Sequence, residues 1–412
     1  MRIRRSRGTW RRIGAPSAVQ EQVAGILREV EAGGDDAVLG LTERFDRAAL
    51  APEELRVDPR ELEGSLAVLE PEVLHGLRTA IANVRAVAKA QLREPVAVEL
   101  AEGQRIEVVE LPVRRAGIYV PGGRAPYPST VVMCAATARA AGVPEIAVCA
   151  PPGPGGHAHP AVLAACVLCE VMEVYRMGGA QAIAALAYGT ASVAAVDVIA
   201  GPGNVYVQEA KRQVAGRVGV DGVAGPSELV VVAGRGADPE LVALDLLAQA
   251  EHGEDSPLWV VSPHQEVLDA VVEAVERLAP RRPSAADAEL QAIAVEDAPT
   301  AVRLADEIAP EHLELVGEEA EKLADRVRRA GCVFVGAGAA TAFGDYVAGS
   351  NHVLPTGGAA RFQSALSPAT FRRRMARVSL PGEAPARLAP TGAALARAEG
   401  FPVHAESMER RA

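Results

Sequence analysis

The fold class is indicated most clearly by Gly117-Ile118-Tyr119-Val120, which Pro121-Gly122-Gly123 follows directly. A short apolar run closed by a Pro-Gly turn is typical of a buried strand. Beyond it, short apolar runs alternate with helical segments, which predicts right-handed βαβ units and parallel sheets covered by helices on both faces. The predicted strands lie at 146–149, 173–177, 197–199, 229–233, 258–261 and 332–335, and the predicted helices at 130–141, 205–214, 240–250, 265–278 and 318–329.

Composition supports this fold class. The chain has 412 residues, enough for two or more domains, and the strands suffice for two α/β domains of Rossmann-like type. Its hydrophobic content is 49% but its aromatic content only 3%, so the core must consist of Ala, Val and Leu. Such a core suits helices packed on a parallel sheet.

Charge and hydropathy exclude other classes of protein. A net charge of −11 argues against a nucleic-acid-binding protein, which normally carries a basic face. No apolar run approaches the ~18 residues that a membrane span needs. These features are typical of a cytoplasmic protein that binds neither nucleic acid nor membrane.

The N-terminus predicts an arm and then a helix. Met1 to Arg12 contains six arginines, but an amphipathic, acid-bearing segment follows where a signal peptide would have an apolar stretch. We therefore expect a solvated arm over residues 1–17. Ser17 and Gln20 form a capping box for a helix that Gly33-Gly34 should end.

The five cysteines do not predict a disulfide framework, because their number is odd and no signal peptide precedes them. Cys166 and Cys169 are spaced as C-x-x-C within the apolar run 161–170. This run is typical of a buried helix, so we expect a core role. A redox or zinc role is the alternative.

Four polar segments carry the candidate chemistry, and together they hold four of the eight histidines. The pattern predicts a metal or acid/base site assembled from distant parts of the chain. The segments are Gln249-Ala250-Glu251-His252, Ala309-Pro310-Glu311-His312, the Gly-rich run 344–356 with Asp345 and His352, and Glu399-Gly400-Phe401-Pro402-Val403-His404.

Two of these segments suggest particular roles. Gln249 and His252 are three residues apart near a helix end, so both can reach one ligand such as Zn²⁺; a solvent-facing turn is the alternative. Glu311 and His312 are adjacent on a turn, where both can face one substrate as acid and base. Polarity at a helix cap is the alternative for that pair.

Glycine-rich loops suggest a place for a cofactor. Gly178-Gly179-Ala180-Gln181 and Gly201-Pro202-Gly203-Asn204 each follow a strand and precede a helix, where backbone N–H groups can hold a phosphate. Neither loop spells G-x-G-x-x-G. The turn 225–228 offers the hydroxyl of Ser227 to a ligand. We expect His157 and His159 to lie in a surface loop.

Taken together, these segments resemble the histidinol dehydrogenase family over nearly the whole chain, from Val19 to His404. The residues that carry the resemblance are the four polar segments together with Gly33-Gly34-Asp35, 117–123, 178–186, Gly201-Pro202-Gly203-Asn204 and Ala224-Gly225-Pro226-Ser227-Glu228. Members of this family oxidise L-histidinol to L-histidine in two successive NAD⁺-dependent steps, with L-histidinaldehyde held between them.

The resemblance implies a role for each candidate residue. His312 would take the hydroxyl proton, and Glu311 would activate the water that hydrates the aldehyde. One zinc ion per subunit would be held by Gln249, His252, Asp345 and His404. The substrate would be bound by Ser227, Gln249, His252, His312, Asp345, His352, Glu399 and His404, and the NAD by Tyr119, Gln181 and Asn204.

The resemblance also implies an arrangement of domains. An arm (1–17) would precede a first α/β domain built from 18–118 and 228–366, into which a second, NAD-contacting α/β domain (119–227) is inserted. A small C-terminal extension (367–412) would cross to the other subunit of a homodimer. Glu399 and His404 would then complete the partner's site.

Two other functions fit the same motifs. The first is a dehydrogenase of the same superfamily that acts on another amino- or sulfo-alcohol; Glu399 favours an imidazole-bearing substrate over it. The second is a non-catalytic metal- or nucleotide-binding protein, against which the presence of both Glu311 and His312 argues.

Overall fold

A computed structural model describes residues 1–8, 19–122, 125–153, 155–285 and 288–412. The chain divides into two compact units. The first contains Met1–Ala90 and Arg114–Phe371, and the second contains Gln91–Val113 and Arg372–Ala412. Among the helices of these residues, none is long and apolar enough to cross a membrane.

The strands, in chain order, are β1 (Arg2–Arg7), β2 (Val96–Glu99), β3 (Arg105–Pro112), β4 (Arg115–Tyr119), β5 (Glu145–Ala150), β6 (Glu173–Arg176), β7 (Val198–Ala200), β8 (Gly219–Val220), β9 (Leu229–Ala233), β10 (Pro257–Ser262), β11 (Glu289–Ala294), β12 (His312–Val316), β13 (Cys332–Val335) and β14 (Arg372–Ser379).

The helices are α1 (Gln20–Asp46), α2 (Pro59–Gly64), α3 (Pro71–Ala90), α4 (Pro128–Val131), α5 (Thr137–Ala140), α6 (Pro160–Leu168), α7 (Gly179–Tyr188), α8 (Val205–Val214), α9 (Pro239–Ala250), α10 (Gln265–Leu278), α11 (Ala298–Ile308), α12 (Glu318–Glu321), α13 (Thr341–Tyr346), α14 (Ala384–Ala398) and α15 (Pro402–Glu409). A π-helical turn, Val132–Ala136, joins α4 to α5.

Two parallel sheets form the first unit, which confirms the predicted fold class. One sheet has the strand order β1-β11-β10-β9-β12-β13 and the other β6-β5-β4-β7-β8. Helices supply the apolar layers against them; α9 and α10, for example, pack with β9 and β10 in one core. All five residues of β9 are fully buried, as a strand covered on both faces requires.

The second unit has an antiparallel sheet and a helical pair. Its strand order is β14-β3-β2. α14 packs on α15 through a small core of Ala393, Ala396 and Ala405, with Met408 against it. The tail after residue 371 therefore has a small core of its own.

The N-terminus differs from prediction in two ways. Arg2–Arg7 is not a solvated arm but the edge strand β1, paired in parallel with β11. The helix that begins at Gln20 does not end at Gly33-Gly34: Gly34 (φ 56°, ψ −133°) kinks it, and α1 continues to Asp46. Ser17 of the predicted capping box lies outside the described residues.

One predicted helix is too long. The helix expected over 318–329 ends at Glu321, and a short 3₁₀ turn, Ala324–Arg326, follows. The backbone N–H groups of Arg328 and Arg329 both donate to the Asp306 carboxylate, each at 2.9 Å. This side chain replaces the carbonyl acceptors that a continuing helix would supply.

The C-x-x-C pair is part of the core, as predicted. Cys166 is in α6, Cys169 immediately follows that helix, and both are fully buried free thiols. Burial raises the pKa of both thiols well above the ordinary value, so neither is a reactive thiolate.

The buried carboxyl group of Glu314 lies beside the half-buried carboxyl group of Asp245, near two helices that lead to candidate site residues. Glu314, on β12, is 1% exposed, and its Oε1 accepts a hydrogen bond from Thr341 N (2.9 Å) at the start of α13. Burial, reinforced by the neighbouring Asp245 carboxyl of α9, raises the pKa of Glu314 well above its usual range. Asp345 lies on α13, and His252 follows α9.

This pair predicts a pH-dependent stability. A carboxyl whose pKa is raised on folding stabilises the fold at low pH, and that contribution is lost as pH rises through its folded pKa. Glu314→Gln keeps an acceptor for Thr341 N and never ionises. We compare the free energy of unfolding of the variant with that of the wild type. We expect this difference to shift in favour of the variant by about 2 kcal/mol when the pH is raised from about 5 to about 8.

Urea unfolding at both pH values measures this difference. Glu318→Gln is the matched control, because the Glu318 side chain is 82% exposed. Parallel pH curves for the wild type and Glu314→Gln would show that Glu314 ionises normally in the fold.

Candidate active site

The first unit contains a cavity of about 590 Å³ between the edges of its two sheets. On one side it is lined by residues at the carboxyl ends of β4 and β7, from Tyr119 and from the turn 201–204. On the other side it is lined by residues at the amino ends of β9 and β12, Ser227, Glu311 and His312. Ligands of open α/β sheets usually bind at carboxyl ends, so only the first side follows that rule.

The register of two neighbouring strands creates the amino-edge side. β9 and β12 pair in parallel with His312 opposite Leu229, and His312 N donates to Glu228 O at 3.2 Å. The residues just before the strands are therefore side by side. Ser227 Oγ donates to Glu311 Oε2 in a short hydrogen bond, and Glu228 N donates to the same oxygen at 3.1 Å.

Burial and hydrogen bonding act in opposite directions on Glu311. Burial raises its pKa to about 8, while the donors Ser227 Oγ and Glu228 N oppose the shift by favouring the carboxylate. The neighbouring His252 acts on the pKa of Glu311 in the same direction as these donors, whereas the charge of Asp345 acts in the direction of burial. Glu311 therefore exchanges a proton in the neutral range, where a water-activating base is useful.

His312 is held as a neutral base. Its Nδ1 is 3.2 Å from the carbonyl oxygen of Glu228, which can only accept, so Nδ1 carries the proton. Nε2 then presents its lone pair, 3.9 Å from Asp345 Oδ1. Burial lowers the pKa of His312, against the opposing charge of Asp345.

The Gly-rich segment 344–356 brings two further candidates to the cavity. Asp345 is in α13, and His352 Nδ1 donates to the Asp345 backbone oxygen at 2.8 Å. The neighbouring Asn351 donates through Nδ2 to Met133 O at 3.0 Å and to Thr137 Oγ1 at 3.2 Å. The segment is thereby tied to the π-helical turn and α5, beside the five-stranded sheet.

The predicted zinc ligands are partly assembled within the first unit. His252 and Asp345 line the cavity. Gln249 contacts Ser227, which also lines it, and Gln249 Nε2 donates to Ser227 Oγ at 2.6 Å. This bond uses the amide nitrogen, so the amide oxygen is the atom suited to a metal. Over the described ranges, no three His, Cys, Asp or Glu side chains form a metal-binding group.

This donor set fits zinc if the fourth ligand comes from elsewhere. The predicted set has only one imidazole and one carboxylate in the first unit, so a group of three such side chains is not expected there. An amide oxygen, an imidazole and a carboxylate provide three donors, and a second imidazole would complete a tetrahedral site.

Two of the three predicted cofactor residues lie at the side of the cavity formed by the carboxyl ends of β4 and β7. Tyr119 lines it, and the Tyr119 hydroxyl accepts from Gly179 N at 3.2 Å. Asn204 also lines it and caps α8, its Oδ1 accepting from the N–H of Tyr206 (3.0 Å). Gln181 is buried in α7, lies outside the lining, and its Nε2 is 3.4 Å from Asp46 Oδ2.

The last two candidates belong to the second unit. Glu399 follows α14 and His404 is in α15, and both are exposed in the single chain. The ring of His404 lies 5.3 Å from that of Phe401. Neither residue is among those that line the cavity of the first unit.

Histidines expected to have no catalytic role do not contribute to the cavity. His159 caps α6, its Nδ1 accepting from Ala161 N at 3.2 Å. The His157 side chain is 75% exposed, as a surface loop requires.

Sequence reasoning missed three charged residues that line or support the cavity. Lys211 and Asp221 line it as a buried ion pair. Glu228 lies beneath it, and Glu228 Oε1 accepts from Gly357 N at 2.8 Å. A weak signal existed for Glu228, an acid directly beside Ser227; Lys211 resembles any lysine in a helix.

Comparison with known proteins gives one consistent result. Residues 11–412 match the family model described as histidinol dehydrogenase. The chain is 44% identical over 398 residues to the histidinol dehydrogenase of a Synechococcus strain, covering 95% of this chain and 92% of that protein. It is 45% identical over 399 residues to that of Cereibacter sphaeroides, with the same coverages.

A solved structure agrees with the sequence matches. The fold superposes on the crystal structure of histidinol dehydrogenase from Elizabethkingia anophelis with a TM-score of 0.94. The identity is 31%, and the match covers 100% of this chain and 98% of the other.

Proposed function

The chain belongs to the histidinol dehydrogenase family, oxidoreductases of the last steps of histidine biosynthesis, and on this premise we propose the reaction in detail. L-histidinol is oxidised to L-histidine through L-histidinaldehyde, with one hydride passed to NAD⁺ in each of two steps. The observation that carries the proposal is the pair Glu311 and His312, one with its pKa near neutrality and the other held neutral, lining one cavity.

In the alcohol step, His312 acts as the base. Its Nε2 takes the hydroxyl proton while a hydride leaves the carbon that bears the hydroxyl group and passes to NAD⁺. The alcohol thereby loses two electrons and two hydrogens. The Glu228 carbonyl fixes the tautomer that makes Nε2 the acceptor. Burial supports this role, because a neutral imidazole is ready to accept a proton.

In the aldehyde step, Glu311 acts on water. Its carboxylate takes a proton from a water that adds to the aldehyde, and the hydrate then loses the second hydride to a second NAD⁺. Ser227 Oγ and Glu228 N orient the Glu311 carboxylate and favour its ionised form. Their two hydrogen bonds to one oxygen leave Oε1 for the water.

Gln249, His252 and Asp345, with His404 of the partner subunit, would hold one zinc ion. The ion would anchor the imidazole and amine of the substrate and thereby orient the reacting carbon. Ser227, His352 and the partner subunit's Glu399 would contact the substrate beside it. This arrangement requires a homodimer in which the segment 367–412 reaches the other subunit's site.

The NAD would lie against the loops of the five-stranded sheet. Tyr119 and Asn204 line that side of the cavity, which supports their assignment. Gln181 would join them only after a change of rotamer, because its amide is directed to Asp46. We assign this role to the loops that follow β4 and β7, which lie within the segment 119–227.

The stoichiometry of NADH tests the reaction. Wild-type protein with Zn²⁺ and excess NAD⁺ should form two NADH per L-histidinol consumed. Glu311→Gln should slow the aldehyde step by ~10²–10⁴-fold and the alcohol step far less, because only the former needs an activated water. Single-turnover absorbance at 340 nm separates the two steps.

Glu318→Gln, a change at an exposed glutamate, is the control. Equal losses in both steps for Glu311→Gln would contradict the division of labour between Glu311 and His312. One NADH per L-histidinol in the wild type would show that the aldehyde escapes, and none would refute the proposed substrate.

Metal content tests the ligand assignment. Asp345→Asn and His252→Asn should each lose bound Zn²⁺ after dialysis, because a tetrahedral site with three ligands left binds weakly. Elemental analysis per chain is the measurement, and His75→Asn, at an exposed histidine of α3, is the control. Full stoichiometric zinc in the two variants would refute these ligands.

Subunit mixing tests the shared site. His404→Asn and His312→Asn should each be inactive alone. After equimolar subunit exchange, half of the dimers carry one site with both changes and one intact site, so activity should recover to about a quarter of the wild type. If exchange is verified by mass spectrometry and no activity returns, His404 does not serve the partner.

A further inference from the structure

We propose that Lys211 and Asp221 are positioning residues for the NAD, since together they fix the turn 201–204 in its binding shape. This inference rests on the proposed function. Neither side chain touches the reacting atoms in the assignment above, and both line the cofactor side of the cavity.

The two side chains hold both polar groups of Gly201. Gly201 N donates to Asp221 Oδ2 at 2.8 Å, and Lys211 Nζ donates to Gly201 O at 3.0 Å. Lys211 Nζ and Asp221 Oδ1 form a close ion pair. The side chains of Lys211 and Asp221 are 2% and 4% exposed, so water does not compete for these bonds.

Packing restricts the backbone conformation of this turn. Gly201 has φ +126°, which L side chains rarely adopt, and a Cβ there would lie 2.1 Å from Tyr119 O. The Gly201 backbone is thus packed against Tyr119 on one side and held by the ion pair on the other. Three residues later Asn204 caps α8, so the position of Gly201 sets where the first N–H groups of that helix point.

The burial of a lysine needs this explanation. Of the three lysines in the chain, Lys89 and Lys322 are exposed and only Lys211 is buried. Burying two charges costs free energy, and well-packed apolar residues of similar volume often serve stability better. An ion pair whose members also bond to one peptide group supplies something that apolar residues lack, a fixed backbone geometry.

A graded series of double variants tests the proposal in the full-length, zinc-loaded protein. Lys211→Gln with Asp221→Asn removes both charges and keeps a donor for Gly201 O and an acceptor for Gly201 N. Lys211→Met with Asp221→Asn keeps only the acceptor. Lys211→Met with Asp221→Leu keeps neither, and all three avoid an unpaired buried charge.

We expect the KM for NAD⁺ to rise along this series, to about tenfold when both hydrogen bonds are lost. The KM for L-histidinol and the zinc content should stay at wild-type values, which a general loss of stability would not allow. The control is Arg115→Met with Glu173→Leu, a buried ion pair at the opposite edge of the same sheet. That control should lower the melting temperature without changing the KM for NAD⁺.

Two outcomes would overturn the proposal. One is an unchanged KM for NAD⁺ in the folded variant with Lys211→Met and Asp221→Leu. If that variant does not fold, the equivalent outcome is the same KM for NAD⁺ in the other two double variants. The other is an equal rise in the KM for both substrates. NADH affinity, measured by fluorescence, separates this test from the proposed function, because it reports on the turn even if the wild type does not oxidise L-histidinol.

Discussion

The parallel pairing of β9 with β12 is the constraint on which the site depends. With His312 opposite Leu229, the residues that precede the two strands must lie beside each other at the amino edge of the sheet. A shift of one residue would turn every side chain of β12 to the other face and separate Glu311 from Ser227. The hydrogen bonds from Ser227 and Glu228 to Glu311, and from His312 to the Glu228 carbonyl, all depend on this register.

Burial then gives the adjacent acid and base different properties. The same loss of water lowers the pKa of His312 and raises that of Glu311, so both groups favour their neutral forms. For the histidine this is the form that the proposed base role requires. The hydrogen bonds from Ser227 Oγ and Glu228 N oppose this shift in the glutamate by favouring its ionised form, as the proposed base role requires.

Sequence reasoning was reliable where a pattern is local. Apolar runs located β9 and β13 to the residue, and the pattern of polar residues located three segments that contribute to one cavity. It failed where the partner is distant: the Asp306 carboxylate accepts from the backbone of Arg328 and Arg329, where a helix was predicted, and β11 supplies the edge that makes a strand of Arg2–Arg7. Lys211 was missed because a buried lysine and an exposed one look the same in sequence.

Asn351 links parts of the molecule that would otherwise act separately. Its side chain holds the carbonyl of Met133 in the π-helical turn, while the next residue, His352, holds the backbone of Asp345. One amide side chain therefore ties the placement of Asp345 and His352 to the helical layer beside the five-stranded sheet, although Asp345 itself lies on α13.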